Sequence, residues 1–132
     1  MGDDELAGLN EETFRAEAKK SIGAKTWREY FEEVLDEAFV LRRSRDDRED
    51  EDKAAMLRAV DQVERPPERS VLPDTVRVWE SETLGVVAST VTLPVEGETK
   101  AFANVKVFTR PQGGAWRCVY WQVSPKPLPS AQ

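Results

Sequence analysis

The chain has no histidine and only one cysteine among its 132 residues. The lack of histidine excludes Ser-His and Cys-His catalysis, histidine proton relays and almost all ordinary zinc sites. A disulfide within the chain is excluded as well, because Cys118 has no second cysteine to pair with. Since a reactive thiol usually has a basic neighbour, we expect Cys118 to be a small buried residue of a strand.

Long apolar runs are also missing, and none approaches the roughly 20 residues that span a bilayer. The first ten residues, MGDDELAGLN, are acidic, whereas a secretory signal begins with basic residues and continues with an apolar stretch. The myristoylation pattern requires Ser or Thr at the sixth position, which is Leu6 here. These absences predict a cytoplasmic protein with no membrane partner.

Basic charge is scarce, with 19 Lys and Arg against 25 Asp and Glu and a formal net charge of −6. Neither half of the chain has the basic face of a nucleic-acid-binding protein, so we expect no nucleic-acid partner. The densest acidic run, RDDREDED at positions 45–52, lacks the glycine and the ligand spacing of an EF-hand. A solvated loop is therefore expected there, and we predict neither a bound metal nor a cofactor.

The first half of the chain predicts helices. Asn10 is a plausible N-cap for a helix that carries Phe14, Ala18 and Ile22 at four-residue spacing. TWRE, at positions 26–29, has the form of a capping box, in which Thr and Glu satisfy each other's free amides. The apolar residues that follow fall on one helical face. They are Trp27, Tyr30, Phe31, Val34, Leu35 and Ala38.

A short strand and a further helix are predicted directly after this helix. FVLRRS, at positions 39–44, predicts a short strand, and residues 52–64 predict a helix that two prolines end. Arg42 and Arg43 lie on opposite faces of that strand, so one of them can point inward. Lys53 opens the helix, and we expect it to form an ion pair with the acidic loop or a neighbouring carboxylate.

The second half predicts four strands, at 75–81, 84–95, 99–110 and 115–124, joined by turns short enough for an antiparallel meander. No interdomain linker is apparent, so we expect one domain over residues 1–132, with 1–9 and 125–132 as extended termini. Helices collected on one face of such a sheet make an α+β domain. A sheet that bends around helices leaves room for a pocket.

The element order and four sequence stretches resemble the DUF4440 group of SnoaL-like proteins in the NTF2-like superfamily. The stretches are VLDEAFVLRRS, DKAAML, AFANVKVFTR and GGAWRCVYWQVSP, and the resemblance covers residues 11–124. It implies a cone-shaped barrel in which N-terminal helices pack on a curved antiparallel or mixed sheet, with a pocket at the open end and a homodimer formed through the sheet. Because that superfamily contains enzymes as well as proteins without a known reaction, the resemblance does not choose the chemistry.

One position departs from the family pattern. Related sequences often carry an acid just before the phenylalanine that opens the strand, and this chain has Ala38 there. An isomerase, cyclase or dehydratase acting on a small hydrophobic substrate would have to use Asp36, Glu37, Glu80 or Tyr120, and no catalytic residue is assigned. A non-catalytic interaction module is the third alternative.

Strand alternation predicts which side chains share a face. Polar residues interleaved with aromatic ones suit the wall of a pocket, although a dimer surface has a similar composition. Our leading hypothesis is the binding of a small, mostly apolar molecule, with Asn104, Tyr120 and Gln122 on one face. The full set of expected ligand-binding residues is Trp27, Tyr30, Phe39, Asn104, Phe108, Tyr120 and Gln122.

Overall fold

The computed structural model describes residues 2–19, 21–44, 49–62 and 69–127. The described helices are α1 (Gly2–Lys19), α2 (Trp27–Val34) and α3 (Lys53–Gln62), with a 3₁₀ turn at Pro73–Thr75. The described strands are β1 (Ser21–Ile22), β2 (Lys25–Thr26), β3 (Leu35–Arg43), β4 (Glu51–Asp52), β5 (Ser70–Val71), β6 (Arg77–Glu80), β7 (Leu84–Val95), β8 (Glu98–Thr109) and β9 (Arg117–Lys126). None of the described helices is long and apolar enough to cross a membrane.

The main sheet has the strand order β4-β3-β9-β8-β7-β5, and β6 pairs with β7 beside β5. Strands β7, β8 and β9 form the predicted antiparallel meander. β3 joins β9 in parallel, which makes the sheet mixed. Helices and a mixed sheet confirm the α+β class predicted from the sequence.

The capping box at the start of α2 is confirmed. The Glu29 amide donates to Thr26 Oγ1 at 3.2 Å, and the Thr26 amide donates to Glu29 Oε1 at 2.9 Å. The helix ends at Val34, so its predicted extension to Ala38 was wrong. Leu35 is extended and pairs with Cys118 of β9, because strand pairing there satisfies the backbone that a longer helix would have used.

A fully buried lysine ties α1 to the sheet. Lys106 Nζ donates to Asn10 Oδ1 at 2.8 Å and lies 3.5 Å from the centre of the Phe14 ring and 4.1 Å from that of Trp121. Asn10 lies in the middle of α1, so its predicted role as N-cap was wrong. The expected extended N-terminal segment was wrong over residues 2–9, because α1 already begins at Gly2.

The N-terminal part of α1 packs on the sheet where a glycine leaves room for it. Leu6 is fully buried, and a Cβ built on Gly85 would overlap Leu6 Cδ1. Gly85 does not have a positive φ, so its backbone would accept alanine. The space for Leu6, rather than backbone conformation, is what requires glycine at this position.

We expect Gly85→Ala to lower the free energy of unfolding by about 1–3 kcal/mol, because the added methyl overpacks against Leu6. In a Leu6→Ala background the same substitution should be close to neutral, which urea denaturation of the four variants measures. Gly8→Ala is the control, since Gly8 is an exposed helical position where an added Cβ would meet nothing within 4 Å, and it should be neutral or stabilising. Equal losses in both backgrounds would contradict this packing role.

Candidate functional site

The inner face of the sheet, which packs against α1, is organised in rungs of residues that lie opposite one another on neighbouring strands. The deepest of three successive rungs carries Val87, Lys106, Trp121 and Leu41. The next carries Ser89, Asn104, Val123 and Arg43. The third carries Val71, Val91, Phe102 and Pro125. Polar groups thus lie at the centre of an apolar surface.

One irregularity in β9 decides which side chains take part in these rungs. Phe108 pairs with Cys118 whereas Val107 pairs with Tyr120, so Val119 is an extra residue on β9. Because side chains alternate along a strand, one extra residue moves every residue that follows it to the opposite face of the sheet. Trp121 consequently points inward, in place of Tyr120.

The predicted grouping of Asn104 with Tyr120 and Gln122 was therefore wrong. Tyr120 and Gln122 lie opposite Val107 and Val105, on the outer face of the sheet. The Tyr120 hydroxyl donates to Gln122 Oε1 at 2.7 Å. Asn104 alone of the three faces inward.

A cavity of about 520 Å³ lies over the inner face. Most of its wall is apolar, with Phe14 from α1, Met56 from α3, and Leu41, Val91, Trp121 and Val123 from the sheet. This volume lies within the range of roughly 300–1,000 Å³ that is typical of small-molecule sites. Helices and sheet together therefore leave a hollow that an apolar molecule fits.

Asn104 supplies a polar group to the cavity wall and is only 4% exposed. Its Oδ1 accepts a hydrogen bond from Trp121 Nε1 at 2.7 Å, which fixes the orientation of the amide. Its Nδ2 donates to the Phe102 carbonyl at 3.3 Å. Since an amide nitrogen has two hydrogens, one donor is left for a molecule in the cavity.

Four other predicted ligand-binding residues lie in the hydrophobic core and are not part of this cavity wall. They are Trp27, Tyr30, Phe39 and Phe108. Burial, and secondarily the Glu12 carboxylate nearby, raises the pKa of the Tyr30 hydroxyl well above its usual range. Cys118 is buried as expected, and burial raises the pKa of its thiol to about 12, so it is an inert core residue.

The candidate acids lie away from the cavity wall. Asp36 accepts a hydrogen bond from the Ala38 amide at 3.0 Å, and Glu80 is exposed on β6. Glu37 pairs with Lys53 at 3.0 Å, which confirms the ion pair expected of Lys53. Neither these acids nor Tyr120 belongs to the described residues that line the cavity. Positions 45–48 of the acidic loop lie outside the described residues.

Sequence reasoning missed Trp121, Val123 and Arg43 as members of the site. The first two were assigned to the other face because nothing in the sequence marks Val119 as an extra residue. For Arg42 and Arg43, the sequence left open which of the two points inward. The structure places Arg43 on the inner face opposite Val123, and Arg42 pairs outside with Asp50 at 2.8 Å.

The structure is similar to solved structures at low sequence identity. An NTF2-like protein from Cytophaga hutchinsonii ATCC 33406 gives a TM-score of 0.74 at 13% identity, covering 93% of this chain and 97% of that one. An NTF2-like protein of unknown function from Pseudomonas putida KT2440 gives 0.73 at 13% identity, covering 98% and 89%. The CamKII hub homology domain from Chlamydamonas reinhardtii gives 0.72 at 15% identity, covering 96% and 99%.

No protein-family model and no curated protein matches the chain. The three likenesses are far below 25% identity, so they are evidence about the fold alone. They agree with the architecture of the described residues, in which three helices pack on a mixed sheet of seven strands. The predicted NTF2-like fold is thereby confirmed.

We expect the bond between Asn104 and Trp121 to stabilise the cavity wall. Trp121→Phe removes the donor and leaves a buried amide oxygen unsatisfied, so the free energy of unfolding should fall by about 1–3 kcal/mol beyond the loss of packing. In an Asn104→Leu background the same change should cost less, and a double-mutant cycle in urea measures the difference. Trp79→Phe, at an exposed tryptophan, should change little. Additive losses would contradict the role of this bond.

Proposed function

We propose that the chain binds a small, mostly apolar molecule in the cavity over the inner face of its sheet. The observation that carries this proposal is the cavity of about 520 Å³ with predominantly apolar walls. An apolar ligand gains free energy from the surface that it removes from water, on the order of 25 cal/mol per Å². The free amide hydrogen of Asn104 can orient one polar group of that ligand.

We also propose a relationship to SnoaL-like proteins, which rests on the four sequence stretches and on the fold. An acid–base isomerase, cyclase or dehydratase would need a carboxylate or tyrosine beside the cavity. Among the described lining residues there is neither. Binding without acid–base catalysis is therefore the function that the described residues support best.

Filling the cavity should abolish binding. Val123 is half-buried, faces inward and lines the cavity, so Val123→Trp places an indole where the ligand would lie. We expect the affinity for the neutral fluorophore N-phenyl-1-naphthylamine to fall at least tenfold, as followed by its emission on titration. The melting temperature of each variant, measured by circular dichroism, shows that it is folded.

Val40→Trp provides the matched control. Val40 is also half-buried and lies on a strand, but it pairs with Tyr120 and so occupies the outer face. Its substitution should leave the affinity for the fluorophore unchanged. Absence of binding to the unmodified protein, or equal loss in the two variants, would contradict the proposed site.

We further propose that the protein self-associates through the outer face of the sheet. Among the described residues, the two most exposed large hydrophobic side chains both lie on this face, namely Trp79 at 57% and Leu84 at 47%. Val86, Val105 and Val107 continue the same face and are half-buried. An apolar surface of this kind is typical of an interface, and the resemblance to SnoaL-like proteins favours a homodimer.

A charge on this surface should separate the dimer. Val107→Arg introduces a cation at the centre of the outer face, and we expect sedimentation equilibrium to show a shift from dimer to monomer. Lys100→Met, on the inner face of β8, should leave the mass unchanged. A monomer for the unmodified protein at micromolar concentration would refute the homodimer.

A further inference from the structure

The charged residues in the described part of the cavity lining are all basic. They are Arg43, Arg69, Lys100 and Lys126. Acids outnumber bases in the chain by 25 to 19, so a wall with cations and no described carboxylate runs against the overall composition. A cavity bordered by one sign of charge and by apolar walls concentrates counter-ions, because the low dielectric of the walls focuses the field.

Three of these cations approach the cavity from different parts of the fold. Lys100 of β8 lies opposite Leu93 on the inner face, near the end of the strand, and its side chain is exposed. Arg69 is half-buried and directly precedes β5, at the other edge of the sheet from β3. Arg43 lies on β3 and pairs with Glu51, which neutralises part of its charge. Basic side chains therefore reach the cavity from three different parts of the fold.

Lys100 is the cation best placed to meet a ligand. Within the described parts of the chain no carboxylate lies within 4 Å of its ammonium group, in contrast to Arg43. A ligand anion would not have to displace an existing partner there. Arg69, with its planar guanidinium, is suited to bind a carboxylate through two parallel hydrogen bonds.

Lys126 belongs to a different surface, although it also borders the cavity. Its ammonium group donates to Thr90 Oγ1 at 3.1 Å. Thr90 pairs with Ala103, which alternates with the inward-facing Asn104, so this bond lies on the outer face. Arg58 serves as the charge control, because it is exposed on α3, does not line the cavity, and its removal changes the net charge as much as removal of Lys100 does.

We propose that the ligand of this cavity is an amphipathic carboxylate, whose carboxylate is held by Lys100 and Arg69 at the opening. Its apolar body extends inward along Val91, Met56 and Trp121, where the wall is uncharged. This inference rests on the proposed function, since it names the chemical class of the molecule that the cavity binds. The charged groups among the described lining residues are cations, so a carboxylate is favoured there over an organic cation.

The test compares three probes that share a ten-carbon chain, namely decanoate, 1-decanol and decylammonium, each below its critical micelle concentration. Displacement of N-phenyl-1-naphthylamine gives their affinities. We expect decanoate to bind on the order of tenfold more tightly than decanol, as charge-assisted hydrogen bonds in a partly enclosed site provide. Decylammonium should bind more weakly than decanol.

The variants locate the carboxylate. Lys100→Met combined with Arg69→Met should reduce the preference for decanoate over decanol to about twofold or less, with decanol affinity retained. Because Lys100 is exposed, Lys100→Glu alone should fold and should reverse the order of decanoate and decylammonium. Arg58→Met, at an exposed position of α3 that is not among the residues lining the cavity, should preserve the tenfold preference. Circular dichroism melts confirm that each variant is folded.

The outcomes separate the two proposals. If decanol and the fluorophore bind but decanoate has no advantage, the carboxylate class is refuted and apolar binding stands. A preference for decanoate that survives both the double substitution and Lys100→Glu refutes the assigned headgroup site. If none of the four probes binds, the proposed function itself fails.

Discussion

The position of α1 against the sheet depends on the contact between one buried ammonium group and its surroundings. Moving an ammonium group from water into an apolar interior is very unfavourable unless dipoles and rings surround it. Lys106 meets this requirement with the side chain of Asn10 and the rings of Phe14 and Trp121. Helix α1 is thereby fixed in position, and its Phe14 becomes part of the cavity wall.

The contact of Lys106 with Trp121 also connects α1 to the cavity wall. Trp121 packs on Lys106 with its ring and donates its indole hydrogen to Asn104, in the next rung of the inner face. A buried cation, an aromatic ring and an amide thus form one connected group beneath the cavity. Such a group is rigid, because Lys106 Nζ, Trp121 Nε1 and the amide oxygen of Asn104 each have a defined partner. A ligand would meet a preformed wall and would not have to order it.

The formal net charge of −6 does not describe how charged side chains are distributed over the protein. Acids lie mostly on the surface, where Glu37 and Asp50 pair with neighbouring cations. The described charged residues that line the cavity are cations, namely Arg43, Arg69, Lys100 and Lys126. The field that a small molecule meets in the cavity depends on these nearby groups more than on the total charge of the protein.

The sequence by itself determined four features of this protein. They are the capping box at Thr26, the meander of β7, β8 and β9, the α+β class and the burial of Cys118. The capping box and the turns of the meander follow from residues that are neighbours in the chain, and the other two follow from composition and from the order of the elements. The tertiary structure alone decided the end of α2 at Val34, the place of Asn10 within a helix, and the inward face of β9. The physical reason is that these depend on partners far along the chain: Leu35 pairs with Cys118, Asn10 meets Lys106, and the extra residue Val119 exists only relative to β8.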